Sequence, residues 1–146
     1  MIIYLIFWQD HDIILLSDND TLNCNVFLSK VGIKQYFTEV FARKCIIQDD
    51  GQILFEPVPY ITCPHGGYFL CKGQVVMDFI KGKNYQQVSF FGDGGNDYCA
   101  ATVLNENDAV YPRKGLVLEK MIQENAQEVQ GKVQSWTDGN DLLLCL

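Results

Sequence analysis

The sequence predicts an α/β fold with a mostly parallel sheet. The short all-apolar run at residues 13–16 and the mainly apolar run at 88–91 read as strands buried on both faces. Each leads through a polar cluster into apolar residues at helical spacing. Strand-like and helix-like stretches then alternate to the end of the chain, which implies right-handed crossovers and helices on both faces of the sheet.

The elements follow in order. The run Ile13-Ile14-Leu15-Leu16 is the first strand and residues 17–21 a turn. Cys24, Phe27, Leu28 and Val31 fall at i, i+3, i+4 and i+7, a helical stripe that Gly32 stops. Short strands at 40–41 and 53–55 flank the Asp49-Asp50-Gly51 turn. Pro57, Pro59 and Pro64 with Gly66-Gly67 mark an irregular connection. Val75, Val76, Phe79 and Ile80 describe a helix from Lys72 that ends before Gly82. The strand at 88–91 runs into Gly92-Asp93-Gly94-Gly95-Asn96-Asp97 and a helix over 98–104. A strand at 109–111, a helix near 116–128, a strand at 133–136 and a helix after Asp138-Gly139 complete the pattern. The apolar opening, residues 1–8, has no basic flank, no small-residue cleavage site and too few residues to span a bilayer, so it reads as folded core.

Length and composition fit one domain over residues 1–146, with no repeat and no linker to a second. A 48% apolar content rules out the disordered and low-complexity classes. The net charge of −7, without a Lys/Arg run, argues against nucleic acid and anionic membrane as partners. A phosphorylated ligand would need a cation to mediate. Six scattered cysteines in a chain large enough to fold unaided point to a reduced, cytoplasmic setting and not to a disulfide framework. Oligomeric state stays open.

Three polar clusters fall where strands hand over to helices or where helices begin: Ser17-Asp18, Lys72, and Asp93 with Asn96-Asp97. In open α/β sheets such positions form the ligand edge. Their chemistries are complementary. A hydroxyl and backbone N–H groups hold a phosphoryl oxygen, an ammonium neutralises it, and two carboxylates hold an octahedral Mg²⁺.

The residues that express these clusters are Leu16-Ser17-Asp18, Cys71-Lys72-Gly73, the run from Phe91-Gly92-Asp93 through Asn96-Asp97-Tyr98-Cys99, and Tyr111-Pro112-Arg113-Lys114-Gly115. Together they resemble the second, third and fourth motifs of haloacid dehalogenase-superfamily phosphatases. The subgroup acting on phosphoethanolamine, phosphocholine or pyridoxal phosphate is the nearest in pattern. Gly32-Ile33, Phe37-Thr38-Glu39-Val40-Phe41 and Trp136 extend the similarity over nearly the whole chain. The resemblance implies a Rossmann-like fold and a Mg²⁺-dependent phosphomonoesterase of small phosphorylated metabolites. It implies that Ser17 and Asp18 bind substrate, and that Lys72 stabilises the phosphoryl group. Asp93 and Asp97 would serve the metal, with Asn96 in support.

One motif of that family is missing. The Asp-x-Asp-x-Thr that supplies the aspartyl nucleophile occurs nowhere in the 146 residues. Asp10-His11-Asp12 follows an apolar run, but Ser17 comes too soon after it for the two to end separate parallel strands. The expectation is a family fold lacking its first strand and its cap. By itself such a chain is expected to be inactive, since loss of a covalent nucleophile costs on the order of 10⁶ in kcat. The alternative is a non-catalytic fragment or pseudoenzyme that binds metal or phosphate.

Other chemistry reads as weaker. Cys63-x-His65 with Cys71 offers three zinc donors, but dispersed and without a close Cys-x-x-Cys pair, so those sulfurs are expected to pack inward. His65, alone in a Pro/Gly loop, reads as exposed and idle. Tyr60, Tyr68 and Phe69 read as core or lid contacts.

Overall fold

A computed structural model of the chain describes residues 11–57, 63, 65 and 70–143. The expectations for residues 1–8, Asp10, Pro59, Tyr60, Pro64, Gly66-Gly67, Tyr68 and Phe69 lie outside the described residues. The fold is α/β with mostly parallel strands in open sheets, as the sequence predicts. The chain divides into two compact units. Among the described residues, 11–57 and Leu70 belong to the first, and Cys63, His65 and 71–143 to the second. No described helix is long and apolar enough to cross a membrane.

In the first unit, strand β1 (Ile14–Asp20) leads directly into helix α1 (Thr21–Lys30). The turn expected at 17–21 is absent because Asp20 makes the transition by itself. Its backbone is extended, and its carboxylate accepts from the Asn23 backbone N–H at 2.8 Å and from the Asn23 side-chain amide at 2.7 Å. Those bonds satisfy a helix donor that would otherwise have no partner. They hold the Asp20 carboxyl below the usual carboxylate range, the backbone bond contributing most. Gly32, at φ +71°, closes the helix in the left-handed conformation that glycine adopts without strain.

Strand β2 (Glu39–Arg43) lies parallel to β1, with Leu15 opposite Val40. Leu15, Cys24 and Leu28 are buried beneath Ile33, Phe37, Val40 and Ala42. Of the expected helical stripe, Phe27 and Val31 instead remain exposed. Thus only the i, i+4 pair faces this core. Strands β3 (Cys45–Ile47) and β4 (Ile53–Phe55) form the hairpin around Asp49-Asp50-Gly51. The sequence placed strands at 40–41 and 53–55 on either side of this turn and did not single out 45–47. Gly51 at φ +83° and the Gln48 N–H to Gln52 carbonyl bond at 2.8 Å make the turn tight, so the strand immediately before it is the partner.

The second unit holds a parallel three-stranded sheet in the order β5 (Ser89–Gly92), β6 (Ala109–Pro112), β7 (Lys132–Val133). Its helices are α2 (Lys72–Ile80), α3 (Tyr98–Thr102), α4 (Val117–Glu124) and α5 (Gly139–Leu143). All of β6 is buried, which explains its uninterrupted apolar sequence. Ala100, Leu104, Leu118 and Leu142 are buried in the same unit. The strand expected at 133–136 stops at Val133. Trp136 keeps a single bridge to Arg113 and donates its indole N–H to the Tyr111 carbonyl at 2.9 Å. Buried Asp108 sets the entry of two strands: one oxygen accepts from the Val88 N–H at 2.8 Å, the other from the Asn105 N–H at 2.9 Å.

Candidate functional site

In the second unit the loop between β5 and α3 is folded around one carboxylate. Asp97, only 5% exposed, accepts at Oδ2 from the backbone N–H groups of Asp93 and Gly94, both at 2.9 Å. Its Oδ1 accepts from the Lys72 Nζ at 2.5 Å. Lys72 opens α2 and is itself 6% exposed. Two charges this far from water are tolerated because each has its partner and Asp97 has two further donors. Gly92 makes the packing possible. A Cβ there would lie 2.9 Å from the Asp97 side chain, so only glycine lets the end of β5 approach so closely. The loop is also tied to α4 by the Leu118 N–H to Asp93 carbonyl bond at 3.1 Å.

Asp93 is the opposite case. Its side chain is exposed, and among the described residues its carboxylate has no hydrogen bond or ion pair. It is therefore the carboxylate of this loop that stands open to solvent. The sequence reading assigned Asp97 to the metal as well, yet both its oxygens are engaged internally. Asn96 stands between them, half-buried, its carbonyl accepting from the Cys99 thiol at 3.6 Å. With Lys72 positive and the two aspartates negative, the cluster carries a net charge of −1. A phosphate dianion alone would be repelled, whereas a hard divalent cation finds the carboxylate oxygen it prefers.

The first unit places Ser17 and Asp18 inside β1, just before its junction with α1. Both are half-buried, and the Ser17 hydroxyl accepts from the Asn19 N–H at 3.1 Å. This is a strand end followed at once by a helix start, with Asp20 as its cap.

Two features escaped the sequence reading. His65 is not exposed: it is half-buried and stands edge-on to the Tyr98 ring, with centroids 5.0 Å apart. Cys63, Cys71 and Cys99 bring their sulfur atoms within 4.8 Å of one another. The sequence distance between Cys71 and Cys99 hides this meeting. The signal that could have found it is Gly73, whose missing Cβ lets the first turn of α2 press onto the Cys99 backbone.

The family described as "Putative Phosphatase" matches residues 4–146. The chain belongs to this family. Its motifs are those of the haloacid dehalogenase-type phosphatases discussed above. Pyridoxal phosphate phosphatase PHOSPHO2 of Bos taurus is 29% identical over 140 residues, covering 90% of this chain and 58% of the relative. The Homo sapiens protein of the same name has the same identity and coverage. Inorganic pyrophosphatase 2 of Arabidopsis thaliana is 26% identical over 140 residues, covering 88% of this chain and 49% of the relative. The chain thus spans about half to three fifths of the length of these relatives. No solved structure gives a significant match.

Proposed function

We propose that the chain supplies the phosphoryl- and metal-handling part of a Mg²⁺-dependent phosphomonoesterase acting on a small phosphorylated metabolite of the pyridoxal phosphate, phosphoethanolamine or phosphocholine class. The observation that supports it most is the Lys72–Asp97 pair, buried beside the exposed Asp93 carboxylate, in a chain of a phosphatase family. Lys72 stabilises phosphoryl charge, and Asp97 holds its ammonium in place. Asp93 is the metal ligand. Ser17 and Asp18 contact the phosphorylated substrate. Mg²⁺ would neutralise phosphoryl oxygens, as a loose, highly charged transition state requires.

A second reading is phosphate and metal binding without turnover. It is favoured by the lack of an Asp-x-Asp-x-Thr nucleophile motif in the 146 residues. One experiment addresses both. Phosphate release from pyridoxal phosphate, phosphoethanolamine and phosphocholine is followed with Mg²⁺ and with chelator, and Mg²⁺ binding is measured by calorimetry. Mg²⁺-dependent release supports the phosphomonoesterase. Mg²⁺ binding without release, weakened at least about tenfold by Asp93→Asn, supports the second reading. Mg²⁺ affinity that is unchanged in Asp93→Asn removes that residue from its role, and absence of both binding and release overturns both readings.

A further inference from the structure

The three-sulfur cluster of the second unit is chemically unlike the carboxylate loop. Cys63 comes from the segment before α2, Cys71 is the residue that caps α2, and Cys99 lies in α3. A zinc ion bound at about 2.3 Å from each sulfur of a tetrahedron sets those sulfurs about 3.8 Å apart. Here they lie within 4.8 Å of one another, so side-chain rotation of an ångström or less closes the site. Hard Mg²⁺ avoids thiolates, which select zinc and other soft cations.

The surroundings hold the sulfurs in a position that suits a bound cation. Cys99 is 4% exposed, so its sulfur is fixed in position by the packing of α3 against α2. The Gly73 N–H donates to the Cys99 Sγ at 3.3 Å, the outer-shell bond that orients and supports a metal-bound thiolate. Cys71 sits at the N-terminal end of α2, so its sulfur is held next to the first turn of that helix.

We infer that Cys63, Cys71 and Cys99 are three ligands of one zinc ion, with solvent in the fourth position, and that the ion fastens the Lys72 end of α2 to α3. On binding, each thiol loses its proton to solvent as its sulfur bonds the metal, and no electrons change hands. Cys71 immediately precedes Lys72, and Cys99 lies two residues beyond Asp97, so the ion anchors both partners of the buried pair.

The test uses the full chain purified under reducing conditions. Metal analysis after gel filtration from zinc-supplemented buffer should give about one zinc per chain. Titration of the metal-free protein with cobalt(II) should produce the near-ultraviolet charge-transfer band of thiolate ligation, with an intensity matching three sulfurs. Cys63→Ser, Cys71→Ser and Cys99→Ser should each weaken zinc binding at least about tenfold in competition with a chromogenic chelator. Cys24→Ser and Cys45→Ser, in the other unit, should leave it unchanged. The cobalt spectrum of the unsubstituted chain stands even if a serine variant fails to fold. Absence of the thiolate band, or equal loss of zinc in Cys24→Ser or Cys45→Ser, overturns the assignment.

Discussion

Asp97 shows how much one side chain organises. It ties Lys72, Asp93 and Gly94 together, so its removal leaves a buried ammonium and two N–H groups without their acceptor. Breaking a buried pair from one side costs about 3–5 kcal/mol. Asp97→Ala should therefore lower the urea midpoint sharply. The double variant Lys72→Met/Asp97→Ala should be less destabilised than the sum of the single changes, because the charge left unpaired in Asp97→Ala is gone. A double-mutant cycle of unfolding free energies reads this coupling, and strict additivity would count against it. Asp20 provides a pH-dependent counterpart. Its folded-state carboxyl is held below the ordinary value of 3.8, so its capping contributes stability above that pH and loses it as pH falls through the folded value. Asp20→Ala should cost about 1 kcal/mol at neutral pH. The gap between the two proteins should close in acid, and urea midpoints measured across acidic pH follow it.

Among elements, strong local patterns and correct assignments go together. The helix from Lys72 has four apolar residues at clean spacing, and the structure starts it at Lys72 and ends it at Ile80. Strand β5 starts and ends one residue later than the apolar run. The misassignments have physical causes. Asp20 moves the β1–α1 boundary with a single cap, a change no periodicity registers. The β3–β4 pairing depends on a five-residue connection, and the three-residue strand Cys45–Ile47 is too short to announce itself. The contact between α2 and α3 rests on Gly73, where a Cβ would run into the Cys99 carbonyl. Backbone cannot yield as a flexible side chain does. Gly73→Ala should thus destabilise the protein by about 1–3 kcal/mol, readable as a lower thermal midpoint. An unchanged midpoint would mean that the two helices can separate at no cost.

For the molecule as a whole, the alternation of strands with helices was enough to state the α/β class, because buried parallel strands and amphipathic helices leave different apolar periods. Residue types and their order were likewise enough to single out Lys72, Asp93 and Asp97, which the structure brings together at one loop. Their division of labour was not legible. That Asp97 is buried against Lys72 while Asp93 stays exposed follows from the close approach at Gly92 and the path of the loop backbone. The meeting of Cys63, Cys71 and Cys99 was equally hidden, for it depends on how tightly α2 packs on α3. Local periodicity and residue chemistry belong to the string itself. Partnerships between distant side chains depend on tenths of an ångström in packing, and those distances exist only once the chain has folded.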